Sequence, residues 1–226
     1  MPETLNVAVC ICTGVTLSDF IPNIEILAEL NDADDPVFSK LQGIVDVPFR
    51  VKFEYLSPTL DPVVSLRGKC APTFNPTTTY AAAKASGTQY DIIFVPAGEP
   101  SVPEDLIAFI CTQRPRFALR QEGDDEQGIL SHYRGVFSSV QGIKFDLTHG
   151  FIEAATPKDI KWVTKARWAV DGNIWTSSGV AAGYDMVLAF IEHLVGPPTA
   201  RVLRDAAEIR DATQEDDPFA EFHGLV

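Results

Sequence analysis

Tyr90-Asp-Ile-Ile-Phe-Val-Pro96 is an almost unbroken apolar run closed by a proline and the turn Ala97-Gly98. A strand apolar toward both sides has no wet face, so the run predicts the inside of a parallel sheet covered by helices above and below. The remaining segments supply what such a sheet needs. Leu5-Asn-Val-Ala-Val-Cys-Ile-Cys12 carries apolar side chains at 5, 7, 9 and 11, predicting a buried strand that Thr13-Gly14 ends. Ser18-Asp19-Phe20-Ile21-Pro22 follows, then Ile24, Leu27, Ala28 and Leu30 at the spacing of one helix face. Phe49, Val51, Phe53 and Tyr55 alternate as a second strand.

Pro58 to Pro76 is rich in proline and turn residues, and Val63-Val-Ser-Leu66 before Arg67-Gly68 predicts a short hairpin there. Tyr80 to Lys84 is alanine-rich and predicted helical. Ser101-Val-Pro-Glu104 has the form of a capping box, in which Ser101 accepts a backbone N–H, Glu104 reaches back, and Pro103 needs no donor. Leu106, Phe109 and Ile110 give the helix behind it a buried stripe. Arg116-Phe-Ala-Leu-Arg120 reads as a further strand. Alternating strands and helices imply an α/β fold with a parallel sheet.

The chain has 226 residues and a mean hydropathy near +0.05, with 46% hydrophobic residues, as a soluble globular protein has. Its formal charge of −13, from 31 acidic and 18 basic residues, argues against nucleic acid or an anionic membrane as partner. The acidic stretches 31–35, 121–126 and 215–217 read as solvated loops, because none has the spacing of a calcium loop. Four cysteines, at 10, 12, 70 and 111, form neither a zinc pattern nor a disulfide framework. With no secretory leader pattern and no apolar run near the roughly 18 residues of a membrane span, the expectation is a reduced, cytoplasmic protein. No glycine loop for phosphates and no metal-ligand cluster is evident, so neither cofactor nor metal is expected.

Asp171-Gly-Asn-Ile-Trp-Thr-Ser-Ser-Gly-Val-Ala-Ala-Gly-Tyr-Asp185, running on to Gly196, reads as turn, strand, glycine turn and buried helix. This block resembles the DJ-1/PfpI (ThiJ/PfpI) family, of the class I glutamine amidotransferase-like superfamily. Ser18-Asp19 with Glu25, Asp91 to Gly98, Trp162 to Trp168 and Asp216-Asp-Pro-Phe-Ala220 are similar to further landmarks of that family. The form Thr-Ser-Ser-Gly-Val-Ala-Ala-Gly-Tyr-Asp is most similar to the branch holding isonitrile hydratases and fungal relatives. The resemblance implies a flavodoxin-like three-layer α/β/α sandwich with a mainly parallel central sheet. It also implies one domain over 1–226, with a tail at 210–226, and a homodimer.

In that branch a strand ends in a Cys-Thr-Gly elbow, whose thiolate attacks the substrate carbon. Here the equivalent strand, Arg116 to Arg120, runs into Gln121-Glu-Gly-Asp-Asp-Glu-Gln-Gly128, and 121–142 contains no cysteine. Three readings follow. The chain is a catalytically impaired relative, or a non-catalytic binding protein of the same fold, or an active hydratase or glyoxalase-like enzyme whose elbow is lost in a mis-spliced gene model. Ser131 beside His132 suggests a hydrolase, but Tyr133 is too large two residues beyond a nucleophile elbow. Leu147-Thr-His149 occupies the place of the family's Thr-Thr-His segment.

Asp19 leads the candidate catalytic residues, because its loop matches the family's acidic partner; capping of a helix is its alternative role. Cys12, at the carboxyl end of the first strand where ligands of open α/β sheets bind, follows. Cys10 reads as packing, Cys111 as a helix thiol, and nothing near Cys70 lowers its pKa. Glu25 is a further candidate if it turns inward. Gly98, Thr176 and Ser177 are candidate ligand-binding positions, the last two ahead of a helix whose backbone donors and dipole attract a polar group, although Ser178 can instead cap that helix. His193 reads as dipole pairing. A small-molecule substrate is the expected partner.

Overall fold

The computed structural model describes residues 1–36, 47–66, 68, 71–98, 103–121, 163 and 165–222. Ser101, Cys70, Ser131, His132, Leu147 to His149, His223 and all of 122–142 lie outside the described residues. A seven-stranded sheet runs in the order β5-β2-β1-β6-β7-β9-β8. Its strands are β1 (Glu3–Cys10), β2 (Phe49–Ser57), β5 (Thr78–Thr79), β6 (Ile92–Val95), β7 (Phe117–Gln121), β8 (Trp168–Asp171) and β9 (Ile174–Ser177). Every pairing is parallel except that of β8 with β9, which Gly172 at φ 60° joins as a hairpin. A left-handed residue at that turn favours glycine, which has no Cβ to clash.

The alternation of β1 divides the core into two layers. Leu5, Val7, Val9 and Ile11 face a layer built from α1 (Leu17–Ala28), α4 (Val180–Val195) and α5 (Pro197–Ala206). Ala8 and Cys10 face the other layer, where α2 (Tyr80–Ser86) and α3 (Glu104–Ile110) bring Tyr80, Ala83, Leu106, Phe109 and Ile110. Ile92 and Phe94 belong to the first layer, Ile93 and Val95 to the second, and all four are buried. The apolar run at 92–95 is thus covered on both sides, as a central parallel strand must be. The result is the flavodoxin-like α/β/α sandwich.

Strands from both ends of the chain share the sheet, so β1 and β9 belong to one core. The predicted hairpin forms from β3 (Val63–Val64) and β4 (Thr73–Phe74). A 3₁₀ turn, Glu29–Asp34, extends α1. The start of α3 needs correction: it begins at Glu104, with Pro103 at the capping position and no side chain closing the turn. Pro103 has ψ 132°, an extended value that no residue within a helix adopts. Past α5 the chain returns along β8, where Arg167 N–H bonds Gln214 C=O at 2.8 Å and Asp217 and Ala220 are buried. A short helix, α6 (Phe219–Phe222), follows.

Candidate functional site

The chain visits β2 on one side of β1 and then β6 on the other, so connections diverge at the carboxyl ends of β1 and β6. Open α/β sheets bind ligands at such a switch point. Here backbone hydrogen bonds tie together the loops that border it. Thr16 N–H bonds Ala97 C=O at 2.9 Å, tying the β1–α1 loop to the turn after β6. Gly14, at φ 85°, donates to Val64 C=O at 2.7 Å, and Val15 bridges Ser65, so the β3–β4 hairpin packs along the same loop. Tyr80 reaches from the opposite layer to bond Ile11 C=O at 2.9 Å.

Asp19 sits in the first turn of α1, which Thr16 begins. It is not the helix cap that a lone Asp before an apolar run suggests. It lies within the turn, only 3% exposed, and its carbonyl accepts from Asn23 Nδ2 at 2.8 Å. Loss of water around the carboxyl pushes its pKa up to about 7, against a hydrogen bond from Thr16 that lowers it. Among the described residues its Oδ1 has no hydrogen-bond partner. A carboxyl that changes protonation near neutrality, with one oxygen unsatisfied, can lend a proton to a ligand or take one.

Thr176 and Ser177 are both buried, but strand alternation sends them to opposite layers. Trp175 belongs to the layer of α1 and α4, so Ser177 faces that side; Ile174 belongs to the layer of α2 and α3, and Thr176 goes with it. Ser177 Oγ is buried without a hydrogen-bond partner among the described residues, as is Ser65 Oγ. Ser178 does not cap α4, whose capping residue is Gly179; both its N–H and its hydroxyl donate to Arg167 C=O. Gly98 lies against the β1–α1 loop, where a Cβ would stand 3.4 Å from Gly14 O and from Val15 Cα. Its lack of a side chain lets the two loops approach.

Cys12 is half-buried at the end of β1, and Cys111 is exposed. Cys10 is buried against α2 and α3, on the sheet face away from α1, and burial pushes its thiol well above the usual range. Glu25 requires correction, because it is exposed: six residues beyond Asp19 on a helix of 3.6 residues per turn, it points outward while Asn23, Ile24 and Ile26 are buried. His193 stacks edge-on against Phe117 at 5.6 Å, in the last turn of α4. Among the described residues no group of three or more His, Cys, Asp and Glu could hold a metal.

Sequence reasoning passed over three contributors. Tyr184, inside the 171–196 block, donates its hydroxyl to Ser18 C=O at 3.0 Å and feels the Asp19 charge. Thr16 was legible, since Thr16-Leu-Ser-Asp19 has the spacing of a capping box. Ser65 had no signal, because only the hairpin brings it to Val15.

No family model and no curated protein sequence matches the chain. Solved structures do. A ThiJ/PfpI family protein from Pseudomonas syringae superposes with a TM-score of 0.66 at 17% identity, over 94% of this chain and 78% of that one. DJ-1beta from Drosophila melanogaster gives 0.65 at 14%, over 93% of this chain and 100% of that one. An AraC family transcriptional regulator from Pseudomonas putida gives 0.62 at 14%, over 90% and 99%. At such identities the likeness is one of architecture, and the chain has the fold of the DJ-1 and ThiJ/PfpI proteins.

Proposed function

We propose that this chain is a DJ-1/PfpI-family protein of isonitrile hydratase-like ancestry that binds a small neutral molecule beside Asp19, with its thiol-dependent turnover weakened or lost. The observation that carries the reading is the buried Asp19 carboxyl, whose protonation changes near pH 7, with Oδ1 unsatisfied among the described residues. A neutral carboxyl offers a hydrogen to a carbonyl or isonitrile carbon, and repels neither. Absence of cysteine from 121–142 supports the loss of turnover, since hydratase chemistry needs a thiolate to attack the substrate carbon. A neighbour described as a transcriptional regulator supports it further: the same architecture serves roles other than catalysis. The reading carries with it a cytoplasmic homodimer.

The test uses cyclohexyl isocyanide and methylglyoxal with wild-type protein, Asp19→Asn and Cys12→Ser, following binding by NMR and turnover by product analysis from pH 5 to 9. Wild-type binding is expected to weaken as pH passes about 7, the pKa of Asp19. Asp19→Asn is expected to bind without pH dependence, and none of the three proteins to turn over either compound. Binding by wild type that ignores pH would overturn the role of Asp19. Turnover abolished by Cys12→Ser would make the protein an enzyme with its nucleophile just past the carboxyl end of β1. A transcript encoding Cys-Thr-Gly across codons 117–142 would overturn the loss of catalysis.

A further inference from the structure

A concavity of about 590 Å³ lies between α4, α5 and the returning chain, and none of the residues placed around Asp19 lines it. Trp168, Leu188, Ala189 and Pro197 give it apolar walls. Its size falls within the roughly 300–1,000 Å³ of ordinary small-molecule sites.

The charges at its edge are unequal. Asp185, one residue past Tyr184 and turned to the opposite flank of α4, is 9% exposed and paired with Arg167. Both guanidinium contacts, from Nε at 2.6 Å and from Nη2, fall on Oδ2. No hydrogen bond among the described residues reaches Oδ1, and Asp185 lines the cavity. Arg204 is held by Asp211 at 2.8 Å. Glu192 and Glu215 also line the cavity, and neither side chain makes an ion pair or hydrogen bond among the described residues. Each arginine is thus held by a carboxylate and Arg204 also acts on Asp185, whereas Asp185 Oδ1 accepts no hydrogen bond and the carboxylates of Glu192 and Glu215 have no ion pair among the described residues.

We infer that this cavity is a binding site for a small organic cation, an amine carrying an apolar body, whose ammonium meets Asp185 Oδ1 and the carboxylates of Glu192 and Glu215 while its body lies against Trp168 and Pro197. A carboxylate ligand would have to displace Asp211 from Arg204 and would face an excess of negative charge. A neutral ligand of the same shape would leave Oδ1 without a strong donor. Charge-assisted hydrogen bonds are about twice as strong as neutral ones, so the cation is favoured over its isosteres.

The test compares benzylamine, benzyl alcohol and benzoate on the whole chain, by saturation-transfer NMR and calorimetry at low salt. Benzylamine is expected to bind saturably, benzyl alcohol more weakly and benzoate not at all. Ala189→Trp, which fills the cavity, is expected to abolish benzylamine binding. The rim double variant Glu192→Gln/Glu215→Gln alters only exposed side chains, so its fold should be unaffected, and it should weaken binding by roughly twofold to tenfold, the scale of partly exposed charge pairs. Asp19→Asn should bind as wild type does. Benzoate binding as tight as benzylamine, benzylamine binding that survives Ala189→Trp in a folded protein, or no saturable binding of benzylamine would each overturn the inference. Unchanged affinity in the rim variant would do so independently of any effect on folding.

Discussion

Tyr184 donates its hydroxyl to the carbonyl of Ser18 at 3.0 Å, across 166 positions of sequence. This contact fastens the second turn of α4 to the first turn of α1, one residue before Asp19. Burial raises the phenol's pKa, as does the charge Asp19 carries when ionised. The surroundings of the carboxyl thus come from two distant parts of the chain, and its charge disfavours ionisation of the phenol.

Asp19→Asn should stabilise the protein at alkaline pH and change it little in acid. A carboxyl whose pKa is raised to about 7 in the folded state, from an ordinary 3.8, binds its proton more tightly folded than unfolded. Wild-type stability is then highest relative to the variant below pH 4, declines from there to about 7, and is level above. The difference between wild type and variant should change across that window by on the order of 4 kcal/mol. Urea unfolding at pH 4 and pH 8 measures it; a difference equal at the two values would mean that Asp19 is not desolvated.

Arg167→Met should cost about 3–5 kcal/mol, because it leaves Asp185 buried without its cation. Burial already raises the Asp185 pKa in spite of Arg167, so desolvation outweighs the pairing even in the native protein. Arg167→Met/Asp185→Leu should recover most of the loss, since the pair is then replaced by apolar contact. Denaturant midpoints of the single and double variants decide this, and equal losses would assign the effect to packing around Arg167 instead.

Gly98→Ala should be tolerated and Gly98→Val should not. An alanine Cβ meets Gly14 O and Val15 Cα at 3.4 Å, the near limit of ordinary contact, so a change within about 1 kcal/mol is expected. Valine adds two methyl groups against backbone that cannot rotate aside, forcing the β1–α1 loop away and lengthening the bond from Thr16 to Ala97. Amide exchange at Thr16, faster in the valine variant and unchanged in the alanine variant, is the readout.

Iodoacetamide should modify Cys111 early and Cys10 last in the folded protein. Cys111 is exposed, whereas Cys10 is buried and its thiol is held protonated; alkylation requires an accessible thiolate. Peptide mass spectrometry along a time course orders the sites. Early labelling of Cys10 would contradict its place between β1 and the α2–α3 layer.

Much of the architecture was legible because it follows from local periodicity. Leu5 to Ile11 alternate, Ile92 to Val95 are apolar on both sides, and Leu106, Phe109 and Ile110 form a stripe; each pattern needs only its own neighbours to be read. The site was legible at single positions and not as an arrangement. Asp19 could be singled out, but its burial could not, since that depends on how α1 packs on the sheet and on α4, whose Tyr184 feels its charge. Glu25 shared a helix with Asp19, and only the packing of α1 on the sheet decided that one faces inward and the other water. Thr176 and Ser177 were adjacent candidates until β9 took its place beside β7.

The order of residues by itself determined the strands and helices, the glycine turns at Gly14 and Gly172, and the lack of a cysteine across 121–142, because these depend on side-chain size, spacing and identity along a short stretch. Tertiary structure alone decided that Asp19 loses its water, that Ser177 faces the α1 layer and Thr176 the other, and that Asp185 meets Arg167 with one oxygen left over. Solvation, and the pKa that follows from it, is set by what surrounds a group in space, and those surroundings come from segments far apart in the chain.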